Sequence, residues 1–139
     1  KTAEMAKVTI ANVFDPDGSC SMIIKGRHLV RGLPEQLEIT DYDIYEAIID
    51  QINEIIFAVK SVFESTPPEL VGDIYKNGIY LTGGGAMMYG LDKLISKEIG
   101  VPCHIANDPV SCVAKGAQAA FKYLDKLLDG FESVSLYKS

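Results

Sequence analysis

The chain has 139 residues, 47% of them hydrophobic, enough for one core and a small second lobe. Its net charge of −6 leaves no basic stripe to displace phosphate counterions, which excludes a general nucleic-acid binder. Three cysteines without CxxC spacing and two histidines assemble no zinc constellation, and no run is apolar enough to span a bilayer, so free thiols in a reducing, cytoplasmic setting are expected.

Residues 1–8 read as a helix with no initiator methionine and no leader before them, the pattern expected of a piece of a longer protein. Asp15-Pro16-Asp17-Gly18 is a turn signal, and two strands follow at 21–25 and 35–40. Leu37 and Ile39 alternate with Gln36 and Glu38, so the second strand should be half-buried. Between the strands, Gly26, Gly32 and Pro34 fit a loop or a bent hairpin.

Thr40 or Asp41 caps a long helix in which Ile44, Ile48, Ile52, Ile55, Val59 and Val62 recur at helical intervals and predict one apolar stripe. Pro67-Pro68 opens a shorter helix, and Asn77-Gly78 stops it. A short strand at 79–81 runs into Thr82-Gly83-Gly84-Gly85-Ala86, followed by a helix with Leu91, Leu94 and Ile95 on one side, closed by Gly100. Glycines without Cβ atoms let backbone N–H groups crowd round an anion, and strand, glycine loop and helix together aim a helix N-terminus at a phosphate. The spacing is neither that of a P-loop nor that of a dinucleotide fold.

A second short strand is expected at 101–106. Asp108-Pro109 should cap a last helix whose buried face is Val113, Ala117, Ala120, Phe121 and Leu124. Apolar residues continue to Leu136, which fits a tail 122–139 that either prolongs a packing helix, the favoured reading, or binds a partner. The alternation of helix and strand after Asp41 predicts an α/β layer, with 1–40 as a smaller α+β lobe. Cys103, His104, Cys112 and Lys115 are read as structural, since no base–nucleophile pair is recognisable.

One ordered series carries a resemblance: Thr2-Ala3-Glu4, Gly26-Arg27, Pro67-Pro68-Glu69-Leu70, residues 78–86, Gly90-Leu91-Asp92, Asp108-Pro109 and residues 112–116. In this order the motifs closely resemble the C-terminal part of MreB, the bacterial actin family that shapes cells. The resemblance implies an actin-like ATPase (ribonuclease H-like) fold, of which this chain would be part of the second domain. Residues 1–40 would form the small outer lobe and 41–139 the large inner lobe with the glycine-rich nucleotide loop.

It further implies that Gly83, Gly84 and Gly85 approach the nucleotide, with Ala86 and Met87 adjoining. Glu4 and Lys7 match a helix pair that meets the adenosine in actin-fold chaperones. Being three residues apart, they share a helix face, although such a pair is also an ordinary surface ion pair. The function implied is ATP-dependent filament formation with Mg2+, with slow hydrolysis in the complete protein only and no catalytic residue in this chain. The partners implied are further copies of itself and, for the complete protein, the membrane surface to which cytoplasmic filaments attach. Two alternatives remain at this level: a sugar-kinase-like member of the actin-fold superfamily, and a stand-alone module that caps filaments.

Overall fold

The computed structural model describes residues 1–121. Helix α1, Thr2–Ile10, leads to a hairpin of β1, Ser21–Arg27, and β2, Pro34–Thr40, paired antiparallel with Ser21 opposite Thr40 and Arg27 opposite Pro34. Helix α2, Asp41–Ser65, is followed by α3, Pro68–Asn77, and by strand β3, Ile79–Leu81. A 3-10 turn, Gly84–Met87, then precedes α4, Leu91–Ile99, strand β4, Cys103–Ile105, and α5, Cys112–Phe121. Strands β3 and β4 pair in parallel, Ile79 opposite Cys103 and Leu81 opposite Ile105. The expected continuation 122–139, with Leu124, lies outside the described residues.

Local signals explain most of these limits. Thr40 caps α2 reciprocally: its hydroxyl accepts from the Asp43 N–H, and the Asp43 carboxylate accepts from the Thr40 N–H at 2.8 Å. Pro68 opens α3, where the missing N–H costs nothing, and Gly100 closes α4 at φ 76°. Asp41 in the first turn of α2 is buried, and among the described residues its Oδ1 has no hydrogen-bond partner.

The core is Val13, Ile52, Ile56, Leu91 and Ile95, with Ile48, Ile49, Leu81, Met88, Leu94, Ile99 and Cys103 packed around it. Val13 therefore joins the segment after α1 to the layer made by α2 and α4. The predicted stripe of α2 divides. Ile52 is buried, as is Ile56, which the stripe left out, whereas Ile55, Val59 and Val62 line an open apolar groove with Ile74 and Ile79. Leu37 is exposed rather than half-buried, because the hairpin runs past the helices that cover its base. Helix α5 also departs from expectation. It begins at Cys112 and buries no residue, and Val113 is 77% exposed, because among the described residues nothing packs over that face.

A cavity between the first helix and the glycine turn

The glycine turn lies at the carboxyl ends of parallel strands, where α/β sheets place their ligand sites. The Ala106 N–H donates to the Leu81 carbonyl (3.0 Å), and the Gly83 N–H to the Pro109 carbonyl (2.7 Å), so the turn after β3 is tied to the turn after β4. Gly83 needs its glycine for conformation, at φ 84°. Gly84 and Gly85 do not. Their φ is not positive, and a Cβ built on either would meet no atom within 4 Å. Among the described residues, no backbone carbonyl accepts from either N–H. Neither steric fit nor dihedral strain explains these two glycines, so their backbone faces open space with its donors free.

The expected direct run from glycine loop into helix does not occur. The 3-10 turn intervenes, and α4 starts only after Gly90, at φ 84° and ψ 0°. A Cβ at Gly90 would stand 2.6 Å from the Phe14 Cβ and 3.1 Å from its backbone nitrogen. Here the glycine is required by close approach. The Val13 N–H donates to the Tyr89 carbonyl (3.1 Å), and Asn12 pairs with Tyr89 in an isolated parallel bridge. Asn12 Oδ1 accepts from the N–H groups of Phe14 and Asp15, which folds the chain back at this point. The ammonium of Lys93 lies over the rings of Phe14 (6.0 Å) and Tyr89 (5.3 Å), drawing the same two segments together. Thus the end of α1 is clamped to the end of the glycine turn.

The clamp leaves a cavity of about 430 Å³, lined by Glu4, Lys7 and Val8 of α1 and by Gly84, Gly85, Met87 and Tyr89 across from it. Of the seven residues singled out from sequence, Glu4, Lys7, Gly84, Gly85 and Met87 meet here. Gly83 is engaged with Pro109 behind the turn, and Ala86 is buried beneath it; neither lines the cavity. Glu4 Oε2 and Lys7 Nζ form an ion pair of 2.8 Å, with the side chains 66% and 39% exposed. A pair so exposed contributes little to stability, so both side chains can turn to a ligand at small cost.

The other polar candidates serve structure. Asp108 sits at φ 54° before α5 rather than capping it. Its carboxyl lies below the usual range, chiefly through the hydrogen bond from Lys115 Nζ (2.6 Å) and then one from Ser111. Cys103 packs against the core, where burial and the charge of Asp92 push its thiol pKa up. His104 packs against Tyr80 in a tilted arrangement, ring centres 5.3 Å apart and planes at 42°. What sequence reasoning missed is Gly90 as the pivot of the clamp. The available signal was a glycine directly before the apolar spacing of α4.

The MreB/Mbl protein family model matches residues 1–129. The chain is 39% identical over 127 residues to the cell shape-determining protein Mbl of Bacillus subtilis, covering 91% of this chain and 38% of that protein. To the cell shape-determining protein MreB of Pasteurella multocida it is 40% identical over 126 residues, covering 89% and 36%. The chain thus spans little more than a third of the curated relatives it matches. Crystal structures of MreB 5 of Spiroplasma citri superpose with a TM-score of 0.84 for the protein bound to AMPPNP and 0.85 for that bound to ADP. Both are 35% identical; they cover 93% and 92% of this chain and 39% of theirs. The fold is accordingly that of the actin-like ATPases, and the chain belongs to the MreB/Mbl family of cell shape-determining proteins.

Proposed function

We propose that the cavity between α1 and the glycine turn is one wall of an ATP site, and that the complete protein forms ATP-dependent cytoskeletal filaments that determine cell shape. The carrying observation is that the free, uncovered backbone of Gly84 and Gly85 faces the Glu4–Lys7 pair across one cavity. The Spiroplasma relative of the same fold, solved with AMPPNP and with ADP, supports the choice of ligand.

Chemically, each side offers what a nucleotide needs. The Glu4 carboxylate accepts hydrogen bonds from both ribose hydroxyls. The methylene stem of Lys7 and the Met87 side chain lie against the purine, with the ammonium left in water. The free N–H groups of Gly84 and Gly85 face the sugar–phosphate side, with no Cβ to hold the anion away. Gly83 and Ala86 set the shape of the turn.

The described residues contain no group of three or more His, Cys, Asp or Glu fit to hold a metal. In the proposal Mg2+, which would neutralise phosphate charge, travels with the nucleotide. In the proposal Glu4, the one carboxylate lining the cavity among the described residues, serves the ribose, so this chain holds and orients nucleotide and hydrolysis falls to the rest of the protein. Filaments of the complete protein lie in the cytoplasm and attach to the membrane surface through parts outside this chain. The described helices contain no membrane span.

The test is calorimetric titration of the complete protein with ATP, beside Glu4→Ala. Losing hydrogen bonds to an ionised group costs about 1.5–3 kcal/mol, so affinity should fall roughly ten- to hundredfold. Unchanged affinity in Glu4→Ala would refute the assignment.

A further inference from the structure

Four polar side chains line the cavity between α1 and the glycine turn: Glu4, Lys7, Thr9 and Tyr89. Glu4 and Lys7 are paired with each other. Thr9 lies in the last turn of α1, and its hydroxyl donates to the Met5 carbonyl at 2.7 Å. A threonine hydroxyl has one hydrogen and two lone pairs, and a carbonyl can only accept. With its hydrogen committed inside the helix, the Thr9 oxygen offers a ligand lone pairs alone. Tyr89 is not restricted in this way, since a phenol hydroxyl facing a ligand turns to donate or to accept.

The direction of α1 says which part of a nucleotide meets Thr9. With Glu4 on the ribose hydroxyls and the Lys7 stem on the purine, the helix runs from sugar to base, and Thr9 lies past Lys7. Thr9 follows Glu4 by about 7.5 Å along the helix axis, the scale of the distance from the ribose hydroxyls to the far edge of a purine. Val8, Ala11 and Met88 complete the lining there and supply no polar side-chain atom. At that edge the purines differ in kind. Adenine carries a 6-amino group, a donor, where guanine and hypoxanthine carry a 6-oxo group, an acceptor.

We infer that Thr9 is the residue that selects adenine: its Oγ1 accepts from the 6-amino group and meets a 6-oxo group lone pair against lone pair. To admit a 6-oxo purine, the hydroxyl must leave the Met5 carbonyl and turn its hydrogen outward, exchanging one hydrogen bond for another. Adenine requires no exchange, because the internal bond and the ligand bond stand together. One neutral hydrogen bond corresponds to a preference of several-fold to about tenfold. Selection by Thr9 deepens the reading of the cavity as an ATP site and rests on that reading.

Calorimetric titration of the complete protein with ATP and with inosine triphosphate tests it. The inosine base has the 6-oxo group and lacks the 2-amino group of guanine, so the comparison isolates that edge. The wild type should bind ATP more tightly by several-fold to about tenfold. Thr9→Val keeps the shape and removes the hydroxyl, and should bring the ratio close to one, chiefly by weakening ATP. Thr9→Ser retains the hydroxyl and should keep the wild-type ratio. Partial unfolding lowers both apparent affinities alike, so a merely structural role for Thr9 would not move the ratio. A wild type without preference, or a Thr9→Val protein with the wild-type ratio, overturns the inference. If Glu4→Ala weakens ATP binding in that case, the ATP-site reading stands and only the role of Thr9 falls. No effect of either substitution on ATP affinity sinks both.

Discussion

Replacing Gly90 by alanine should separate a glycine that the fold requires from one that the ligand requires. Gly90 stands at φ 84°, and the new Cβ would lie 2.6 Å from the Phe14 Cβ. Left-handed backbone costs a residue with a Cβ roughly 1–2 kcal/mol. Carbon atoms pack at about 3.5–4.0 Å, so Phe14 must retreat by about 1 Å. Forcing an extra methyl into a packed contact adds roughly 1–3 kcal/mol, for a total of about 2–5 kcal/mol. Retreat of Phe14 also pulls on Val13, which donates to Tyr89 and is part of the core. Urea unfolding followed by circular dichroism reads the effect. With a slope of about 1–3 kcal/mol per molar, the midpoint should fall by roughly 0.7–5 M. Gly85→Ala, at a site where the Cβ meets nothing, should instead leave stability unchanged or raise it by about 0.4–1 kcal/mol, while ATP affinity falls. Equal destabilisation by the two substitutions would refute the division of the glycines.

Thr40→Ala should cost about 1 kcal/mol in the same assay, since it removes the side-chain half of the α2 capping box. Ile95→Ala, at the centre of the core, should cost about 2–5 kcal/mol by leaving a cavity. The Asp43 carboxyl sits below its ordinary value of 3.8, first through the Thr40 N–H and then its hydroxyl. A depressed folded pKa means that the contribution is present above the unfolded value and disappears as pH falls through the folded one. Asp43→Asn should therefore flatten the loss of stability below about pH 4, measured by thermal melts across that range. Among the thiols, exposed Cys20 should react with maleimide first and Cys103 more slowly, because its burial disfavours the thiolate; mass spectrometry of time points reads the order.

Much of this was legible in the sequence because it is local. The Thr40 cap, Pro68 at the start of α3 and Gly100 at the end of α4 each act within a turn or two of their own position. The pairing of Glu4 with Lys7 was also legible, from helical spacing alone. That this pair faces Gly84 and Gly85 was not, since the contact depends on a bridge between Asn12 and Tyr89 that no local pattern encodes. Burial failed for the same reason. Ile55, Leu37 and Val113 belong to periodic apolar patterns, but periodicity gives a face and not whether anything covers it. The glycine run read as a single feature, whereas its members answer to different causes: conformation at Gly83 and open space at Gly84 and Gly85.

The central claim, that the α1–glycine turn cavity is the nucleotide wall, is tested most directly by photolabelling the complete protein with 8-azido-ATP and mapping the modified peptides. The account predicts label on the segment carrying Glu4 and Lys7 and on that carrying Met87 and Tyr89, competed away by ATP. ATP-competed label confined to other segments would contradict it.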